Sequence, residues 1–511
     1  LLSVRCVYEQ EEVKNIYDFV FIWRIGIMAR IYESDHYDDL EDFFISVSEK
    51  ILSRNCSLFV GAGSSAQYNM PDWTTLISEF QKDSDYFHNV SQRAEYAMIK
   101  NPRFKTDIAK SLGEIPINAN KEDTFLYHLL DFEFNSIWTT NYDNIIEKVM
   151  SQKSFPSTSI YDYRRFDQIS NSGTNYLYKI NGSAELSDSI VITKEDFIDY
   201  RRTHSAFLIL MKRELICNSF LFIGCSFDDD ILRSCLRDIL VCFKESGAEP
   251  NMMPNHYAVI VDKDPKLDFI TRDMSLNYHI NCIKVHNYKS AHLIAEGICS
   301  YARFCTIFVS GAYIFSRKSK AENDAKRVCR ELTTQFQNDF RRPYKFITGM
   351  GISIGHFISG SIKETCKEKQ RGNIGRYLQM EPFPFTGEND SNIHRRSMIG
   401  KAGIVIFIYG HLHHGQDVTS SGMYKEYLIA KENSDTIIIP IPCGKDTISN
   451  YLFEKEKEVE GSFTSQNYDF LLQFNPAVSN EKFFSKLYCL VNDATSSILK
   501  NNTIKIRDLL L

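Results

Sequence analysis

The chain has no pair of cysteines at CxxC spacing, although its 511 residues include thirteen cysteines. This pattern argues against a four-cysteine zinc module and against a disulfide framework, so reduced thiols in a cytoplasmic protein are expected. Three histidines, His411, His413 and His414, stand close together, but no cysteine lies nearby in sequence and Asp417 is the single carboxylate that follows them. We interpret them as a solvated loop and predict no bound metal.

A long apolar run is also missing. The most apolar early segment, residues 16–31, contains Asp18, Arg24 and Arg30, and it is shorter than the roughly 20 residues that a membrane-spanning helix needs. A net charge of -6 gives no excess of positive charge for a nucleic acid. The sequence therefore predicts neither a membrane segment nor a nucleic-acid partner, and no cleavable signal is evident.

The length is too great for one ordinary core, and about 150 residues per domain suggests two or three domains. The chain does not begin with methionine, whereas Met28 opens a segment that resembles a natural start. We interpret residues 1–40 as an N-terminal extension and expect the part before Met28 to lie outside the native fold.

A glycine turn follows the first buried strand. Leu58, Phe59 and Val60 lead into the sequence Gly-Ala-Gly-Ser-Ser at residues 61–65. Two glycines allow a tight turn in which backbone N–H groups can face a phosphate at a helix start. The pattern fits an unliganded strand-to-helix turn equally well, because the third glycine and the acidic partner of the dinucleotide fingerprint are absent.

The sequence of strand, polar turn and helix then recurs. Apolar segments at 136–140, 176–180 and 220–223 end at Asn141, at Asn181 and at the turn 224–229. In a parallel sheet such turns lie at the carboxyl ends of the strands, where ligands bind. We therefore predict an α/β fold whose polar turns meet at one site, with further strands at 257–261 and 281–285.

A second series of strands begins near residue 300. Apolar segments at 307–309, 346–347, 403–409 and 436–441 alternate with glycine turns and helical patterns. The fold class predicted is thus α/β with two Rossmann-like parallel sheets. We place the first domain at residues 41–290 and the second at residues 291–511.

Four motifs in order, GAGSS, TTNYD, YKINGS and IGCSFDD, resemble those of the sirtuin-like NAD-binding fold. The later segments FVSGA, ITGMGISIG, HRRSMIGKAGIVIFIYG and GMYKEYLIA resemble a SLOG nucleotide-sensor domain. The combination is similar to the NAD-consuming effectors of Thoeris anti-phage systems. This resemblance implies NAD+ as the substrate and a cyclic ADP-ribose-type signal, made by a TIR-domain partner protein, as the activator. It also implies a homo-oligomer, either a tetramer or a filament.

The resemblance assigns roles to individual residues. In the first domain it implies that the NAD pyrophosphate is held by Gly61, Ala62, Gly63 and Ser64, and that the nicotinamide end lies beside Asp72 and Trp73. It implies that Asn141 is the catalytic amide, with the Asp143 carboxylate nearby. It places the adenosine ribose at Ser226 and Asp228. In the second domain it implies that the signal is bound by Ser310, Gly311, Gly349, Gly351, Arg395 and Glu426.

One position departs from the sirtuin pattern. Asn181 stands where the family has a histidine that acts as the general base. An amide cannot accept a proton near neutral pH, and proton transfer by such a base is typically worth about 10²–10⁴ in rate. We expect NAD+ hydrolysis to be retained, since nicotinamide leaves as a neutral molecule and the attacking water needs little activation. The alternatives are a sirtuin-type deacylase and a nucleotide-binding scaffold with weakened chemistry; His204 is too distant in sequence to be assumed a replacement.

Overall fold

The structure is a computed structural model. It describes residues 29–80, 89–153, 157–169, 175–227, 229–247, 253–261, 268–316, 318–338, 344–383, 388–411, 418–459 and 463–511.

The first sheet contains eight described strands, all parallel. They are β1 (Ile31–Tyr32), β2 (Cys56–Val60), β3 (Ile137–Thr139), β4 (Ser157–Ile160), β5 (Asn175–Lys179), β6 (Ser219–Ile223), β7 (His256–Val261) and β8 (Ile280–Val285). Their order is β1-β8-β7-β6-β2-β3-β5-β4. The strands β6, β2, β3 and β5 are therefore neighbours, and the four polar turns that follow them lie side by side, as predicted.

The second sheet is also parallel and has five described strands. They are β9 (Thr306–Ser310), β10 (Lys345–Thr348), β11 (Leu378–Met380), β12 (Ile404–Ile408) and β13 (Ile437–Ile441), in the order β11-β10-β9-β12-β13. Every residue of β12 and β13 is buried, as expected for parallel strands with both faces covered. The prediction of two parallel α/β sheets is confirmed.

Helices cover both sheets. In the first half they are α1 (Tyr37–Leu52), α2 (Ala62–Ala66), α3 (Trp73–Phe80), α4 (Val90–Lys100), α5 (Phe104–Glu114), α6 (Phe125–Leu129), α7 (Ile145–Gln152), α8 (Lys194–Thr203), α9 (Ser205–Cys217), α10 (Asp230–Glu245) and α11 (Asp268–Tyr278). In the second half they are α12 (Tyr288–Phe304), α13 (Lys320–Gln337), α14 (Ile354–Glu368), α15 (Glu388–Gly400), α16 (Gly422–Glu432), α17 (Ile448–Glu456), α18 (Ser465–Leu471) and α19 (Glu481–Leu510). Within the described residues, no helix has the length and apolar character needed to cross a membrane.

Helix α12 joins the two sheets. It runs for 17 residues and contacts α1, α6 and α19. It packs closely, since a Cβ at Gly297 would come within 2.3 Å of the Phe44 ring. Its last turn leads directly into β9, so one continuous segment connects the first domain to the central strand of the second sheet.

The N-terminal extension predicted for residues 1–40 falls largely outside the described residues. Within the described part, Ile31 pairs with Cys282, which makes β1 an edge strand of the first sheet. Helix α1 begins at Tyr37, before the domain boundary placed at residue 41. The domain limits remain a prediction, and β1 and the first residues of α1 precede the limit placed at residue 41.

Candidate active site and nucleotide-binding site

A cavity of about 640 Å³ opens at the carboxyl ends of the central strands of the first sheet. It brings together Gly61, Ala62, Gly63, Asp72, Trp73, Thr140, Asn181, Gly224, Cys225, Ser226, Phe227, Asp229 and Tyr288, among others. Residues of all four motifs therefore line one cavity, and the TTNYD motif contributes Thr140 to it. Of the residues predicted for the adenosine ribose, Ser226 is exposed at the cavity, whereas Asp228 lies outside the described residues.

The glycine turn is packed against the turn that follows β6. A Cβ at Gly61 would lie 2.3 Å from the carbonyl oxygen of Gly224, and a Cβ at Gly63 would lie 2.4 Å from the Tyr288 ring. The N–H groups of Gly61 and Gly63 donate to the carbonyls of Ile223 and Gly224, at 3.0 and 2.9 Å. The expectation that these amides are free to face a phosphate is therefore wrong. The glycines permit close approach of the two turns.

Ser64 also binds within its own turn. Its N–H donates to the Gly61 carbonyl at 3.0 Å, and its hydroxyl donates to the same oxygen at 2.8 Å. Helix α2 has only five residues, so its dipole is short. We therefore expect this turn to act on a pyrophosphate through shape more than through a full set of N–H donors.

Asn141 ties the two motifs together. Its side-chain amide donates to the Gly61 carbonyl at 3.1 Å, to the Ser64 hydroxyl at 3.1 Å and to the Ser65 hydroxyl at 2.8 Å. The side chain is 7% exposed, and among the described residues it is not part of the cavity lining. In this conformation Asn141 holds the glycine turn in place, and its predicted catalytic role stays a prediction.

Asp143 and Lys179 form a buried support behind this network. Asp143 accepts a hydrogen bond from Ser65 at 2.6 Å and from the N–H of Ile145 at 3.0 Å. Burial raises the pKa of Asp143, while the charge of Lys179 opposes the rise. The Lys179 ammonium, which is 1% exposed, donates to the carbonyl of Asp143 and to Glu147 at 2.9 Å. Lys179, the lysine of the YKINGS motif, therefore fixes the backbone of the TTNYD turn.

Asp72 and Trp73 begin helix α3 at the cavity wall. The Asp72 carboxylate accepts from the N–H of Thr75 at 2.7 Å, which caps the helix. The Trp73 ring is parallel to that of Tyr142, with an interplanar angle of 5° and centroids 6.0 Å apart. Both residues line the cavity. Their positions are compatible with the predicted nicotinamide end of the site.

Asn181 lies in the cavity wall and is completely buried. Within the described part of the chain, neither atom of its amide has a hydrogen-bond partner. The neighbouring carboxyl group is that of Asp229. Burial raises its pKa, and hydrogen bonds from the backbone and the nearby Asn181 amide offset only part of the rise. The contact between the two side chains does not reach the geometry of a direct hydrogen bond.

His204 does not replace the missing histidine. Its ring stacks on Tyr200 at 4.4 Å, and its Nδ1 lies 2.8 Å from the Thr203 hydroxyl. It lines a separate cavity with Asp162 and Asp188. The separation expected from the sequence is thus observed.

A second cavity, of about 390 Å³, opens at the carboxyl ends of β9, β10 and β12. All six residues predicted for the signal nucleotide line it, namely Ser310, Gly311, Gly349, Gly351, Arg395 and Glu426. A Cβ at Gly351 would lie 2.3 Å from the carbonyl oxygen of Gly311. Two glycine turns are packed together here in the same way as in the first domain.

Three side chains, Ser310, Arg395 and Glu426, interact in the polar wall of this second cavity. The Ser310 hydroxyl donates to Glu426, and Nε of Arg395 lies 3.7 Å from the other carboxylate oxygen. Burial raises the pKa of Glu426 to about 7, and the hydrogen bond from Ser310 and the charge of Arg395 oppose the rise. The Arg395 guanidinium also lies 4.8 Å from the centre of the Phe383 ring. An arginine, a titratable carboxyl and aromatic rings suit a ligand with phosphate, ribose and base.

Several lining residues were not identified from the sequence. Tyr288 reaches the first cavity from α12, and Asp229 follows directly after the predicted Asp228. In the second cavity, Tyr313 and Phe383 were missed. The FDD sequence was a signal for Asp229, whereas the others depend on how helices and loops pack. His413 and His414 lie outside the described residues, and no group of three metal-binding side chains occurs among the residues described.

Comparison with known proteins covers both domains. A family model described as SIR2-like domain matches residues 135–283, and the Sir2- and TIR-associating SLOG family matches residues 293–493. The protein named NAD(+) hydrolase ThsA from Enterococcus faecium is 26% identical over 444 residues, which is 80% of this chain and 89% of the relative. The chain has the domain architecture of the ThsA proteins.

Two further relatives match this chain, one over most of its length and one over less than half. NAD(+) hydrolase ThsA from Bacillus cereus (strain MSX-D12) is 23% identical over 421 residues, covering 78% of this chain and 86% of the relative. Defense-associated sirtuin 2 from Bacillus subtilis is 22% identical over 244 residues, covering 43% of this chain and 24% of the relative. The order predicted from the motifs, a sirtuin-like domain followed by a SLOG domain, is confirmed.

Proposed function

We propose that the protein is an NAD+ hydrolase of an anti-phage defence system, which releases nicotinamide and forms ADP-ribose. The observation that carries this proposal is the single cavity at the ends of β6, β2, β3 and β5, where all four sirtuin-like motifs meet. The ThsA relatives bear the name NAD(+) hydrolase. Hydrolysis would deplete cellular NAD+ and abort infection, and a cytoplasmic location follows from the same proposal.

The site suits cleavage of the bond between ribose and nicotinamide. This reaction passes through an oxocarbenium-like state, so the enzyme must hold the ribose and orient a water without placing a cation beside it. Asn181 supplies a neutral amide at the cavity wall, and Asn141 and Asp143 lie behind the glycine turn, to which both are hydrogen-bonded. The Lys179 ammonium is held behind the turn by carbonyls and by Glu147. NAD+ would thus act as a substrate.

The second cavity is the proposed sensor of a cyclic ADP-ribose-type signal. Arg395 supplies a forked cation for phosphate oxygens, Glu426 a partner for a ribose hydroxyl, and Tyr313 and Phe383 rings for a base. The matching family is described as Sir2- and TIR-associating, which supports a TIR-domain protein as the source of the signal. We further propose a homo-oligomer, a tetramer or a filament, with no nucleic acid or membrane as partner.

Helix α12 is a direct route between the two cavities. Its first residue, Tyr288, packs on Gly63 in the first cavity. At its other end, the carbonyl of Arg303 accepts from the N–H of Gly403 at 2.7 Å, and β9 then runs to Ser310 in the second cavity. A signal that shifts β9 or its turn can therefore change the position of Tyr288. Such a shift requires that the signal bind the two arrangements with different affinity.

Two adjacent arginines allow a matched test of the sensor. Arg395 lines the second cavity, whereas Arg396 is exposed and forms an ion pair with Glu432. We expect Arg395→Ala to raise the concentration of cyclic ADP-ribose isomer needed for nicotinamide release at least tenfold, while Arg396→Ala leaves it unchanged. Unchanged activation of Arg395→Ala would contradict the sensor assignment.

The alternative functions make different predictions. A deacylase would release nicotinamide only in the presence of an acylated lysine peptide, and a scaffold would bind NAD+ without releasing nicotinamide. The hydrolase releases nicotinamide from NAD+ and water alone once the signal is present. Measuring nicotinamide with and without peptide and signal distinguishes the three.

A further inference from the structure

The side chain of Asp229 lies at the candidate active site, but the proposed reaction gives it no role so far. It lines the 640 Å³ cavity together with Asn181. It also lines an adjoining cavity of about 520 Å³, which shares Trp73, Asn89 and Val90 with the first. Its carboxylate therefore lies where the candidate site continues into a second open space, through which water or another small molecule can enter.

Only one oxygen of this carboxylate is used by the fold. Oδ1 accepts from the N–H groups of Ile231 and Leu232, both at 2.9 Å, at the start of helix α10. Within the described part of the chain, no donor reaches Oδ2 in hydrogen-bond geometry. The capping bonds fix the orientation of the carboxyl group, and the second oxygen remains available to a ligand or a water.

The side chain of Asn181 supplies an independent indication of a ligand. It is completely buried in the cavity wall, and its amide has no protein partner among the described residues. An unsatisfied buried polar group costs about 1–3 kcal/mol. A water or a substrate hydroxyl placed between the Asn181 amide and the Asp229 carboxylate would satisfy both groups.

We propose that Asp229 is the proton acceptor of the hydrolysis, in place of the histidine that Asn181 replaces, and that Asn181 orients the attacking water. This inference rests on the proposed NAD+ hydrolase function. The bond from C1′ of the ribose to the nicotinamide nitrogen breaks, and its electron pair neutralises the ring. The water oxygen bonds to C1′, and the proton of the water passes to Asp229. The products are ADP-ribose, nicotinamide and one proton returned to solvent.

The surroundings of Asp229 favour this role. Burial raises the pKa of its carboxyl group above the ordinary value, which makes it a stronger base once ionised. The charged or titratable groups around it are Asp230 on the same helix, Tyr142, Tyr200, Cys225 and Cys235 within its electrostatic reach, and Lys194 and Arg201 in the adjoining cavity. Because Asp229 must be ionised to accept a proton, kcat should fall on the acid side of the pH profile.

The test compares Asp229→Asn with wild type in the full-length protein, with cyclic ADP-ribose isomers as activators. Asparagine retains a side-chain oxygen for the helix cap but cannot accept the proton. We expect kcat for nicotinamide release to fall about 10²–10⁴-fold with little change in KM. The acid limb of the pH profile should disappear. Asp162→Asn is the matched control, since Asp162 also caps a helix, the short 3-10 helix Tyr163–Gln168, through the N–H of Arg164 but lies outside the NAD cavity.

A second variant separates catalysis from folding. Adding Asn181→His to Asp229→Asn should raise kcat at least tenfold above that of Asp229→Asn alone, because imidazole provides a new base. If Asp229 served only as a helix cap, Asn181→His would not restore the activity lost in Asp229→Asn. Asp229→Asn with kcat within threefold of wild type, or with a loss that Asn181→His does not restore, would overturn the assignment.

Two further outcomes separate this inference from the proposed function. If the Asn181→His variant released nicotinamide and wild type released none, the role of Asp229 would be overturned, while the assignment of the fold to a hydrolase would stand. Release from neither protein, with any isomer and with NAD+ bound, would overturn the hydrolase proposal and the base together.

Discussion

The buried carboxyl group of Glu426 should make the stability of the protein depend on pH near neutrality. Burial raises its pKa from an ordinary value of 4.5 to about 7 in the folded protein. The folded state therefore favours the neutral form. The stabilisation is fully present below pH 4.5 and is lost as the pH rises through 7.

The size of the effect follows from the two pKa values. One pKa unit corresponds to about 1.4 kcal/mol, so the difference of roughly 2.5 units amounts to about 3 kcal/mol in all. Between pH 5.5 and pH 8 the loss is about 2 kcal/mol, because part of it has already occurred below pH 5.5. Glu426→Gln is neutral at every pH, so its unfolding free energy should lack this component.

The assay is urea unfolding of wild type and Glu426→Gln, followed by circular dichroism at pH 5.5, 7 and 8. The difference between the two unfolding free energies isolates Glu426 from every other titrating group. We expect wild type to lose about 2 kcal/mol relative to the variant across this range. A difference that stays constant within about 0.5 kcal/mol would refute the argument that Glu426 is held neutral by burial.

Two further substitutions test the architecture of the first cavity. Gly61→Ala would place a Cβ 2.3 Å from the Gly224 carbonyl, so we expect about 1–3 kcal/mol of destabilisation and weaker NAD+ binding, measured by thermal unfolding and calorimetry. Gly113→Ala is its control, because no atom lies within 4 Å of the new Cβ, and a stability equal to or above wild type is expected. Lys179→Met should lower the free energy of unfolding by about 3 kcal/mol or more, since it leaves Glu147 without its ion pair. Urea unfolding measures this loss, and the double variant with Glu147→Gln is expected to recover part of it.

The interior of the fold could be predicted from the sequence, whereas three of its four edge strands could not. Every central strand of both sheets was identified, because these strands are continuous apolar segments that end at glycine or polar turns. The missed strands Ile31–Tyr32, Ser157–Ile160 and Leu378–Met380 all lie at sheet edges. These three strands have two to four residues and a weak apolar signal, whereas the edge strand β13 is an apolar segment of five buried residues and was predicted.

The candidate sites show the same division. The family resemblance implied the six residues that line the second cavity, and strand order accounts only for the turns at Ser310, Gly311, Gly349 and Gly351. The sequence could not show that the N–H groups of Gly61 and Gly63 are occupied by the turn after β6, since that contact depends on the separation of two neighbouring turns. Tyr288 was likewise missed because the position of α12 is set by its packing on α1 and α19.

The most direct test of the central claim is nicotinamide release from NAD+ by the purified full-length protein, with and without cyclic ADP-ribose isomers. The protein is predicted to release nicotinamide slowly or not at all alone and at least tenfold faster with one of the isomers. Binding of NAD+ without release under any of these conditions would contradict the account and leave a nucleotide-binding scaffold.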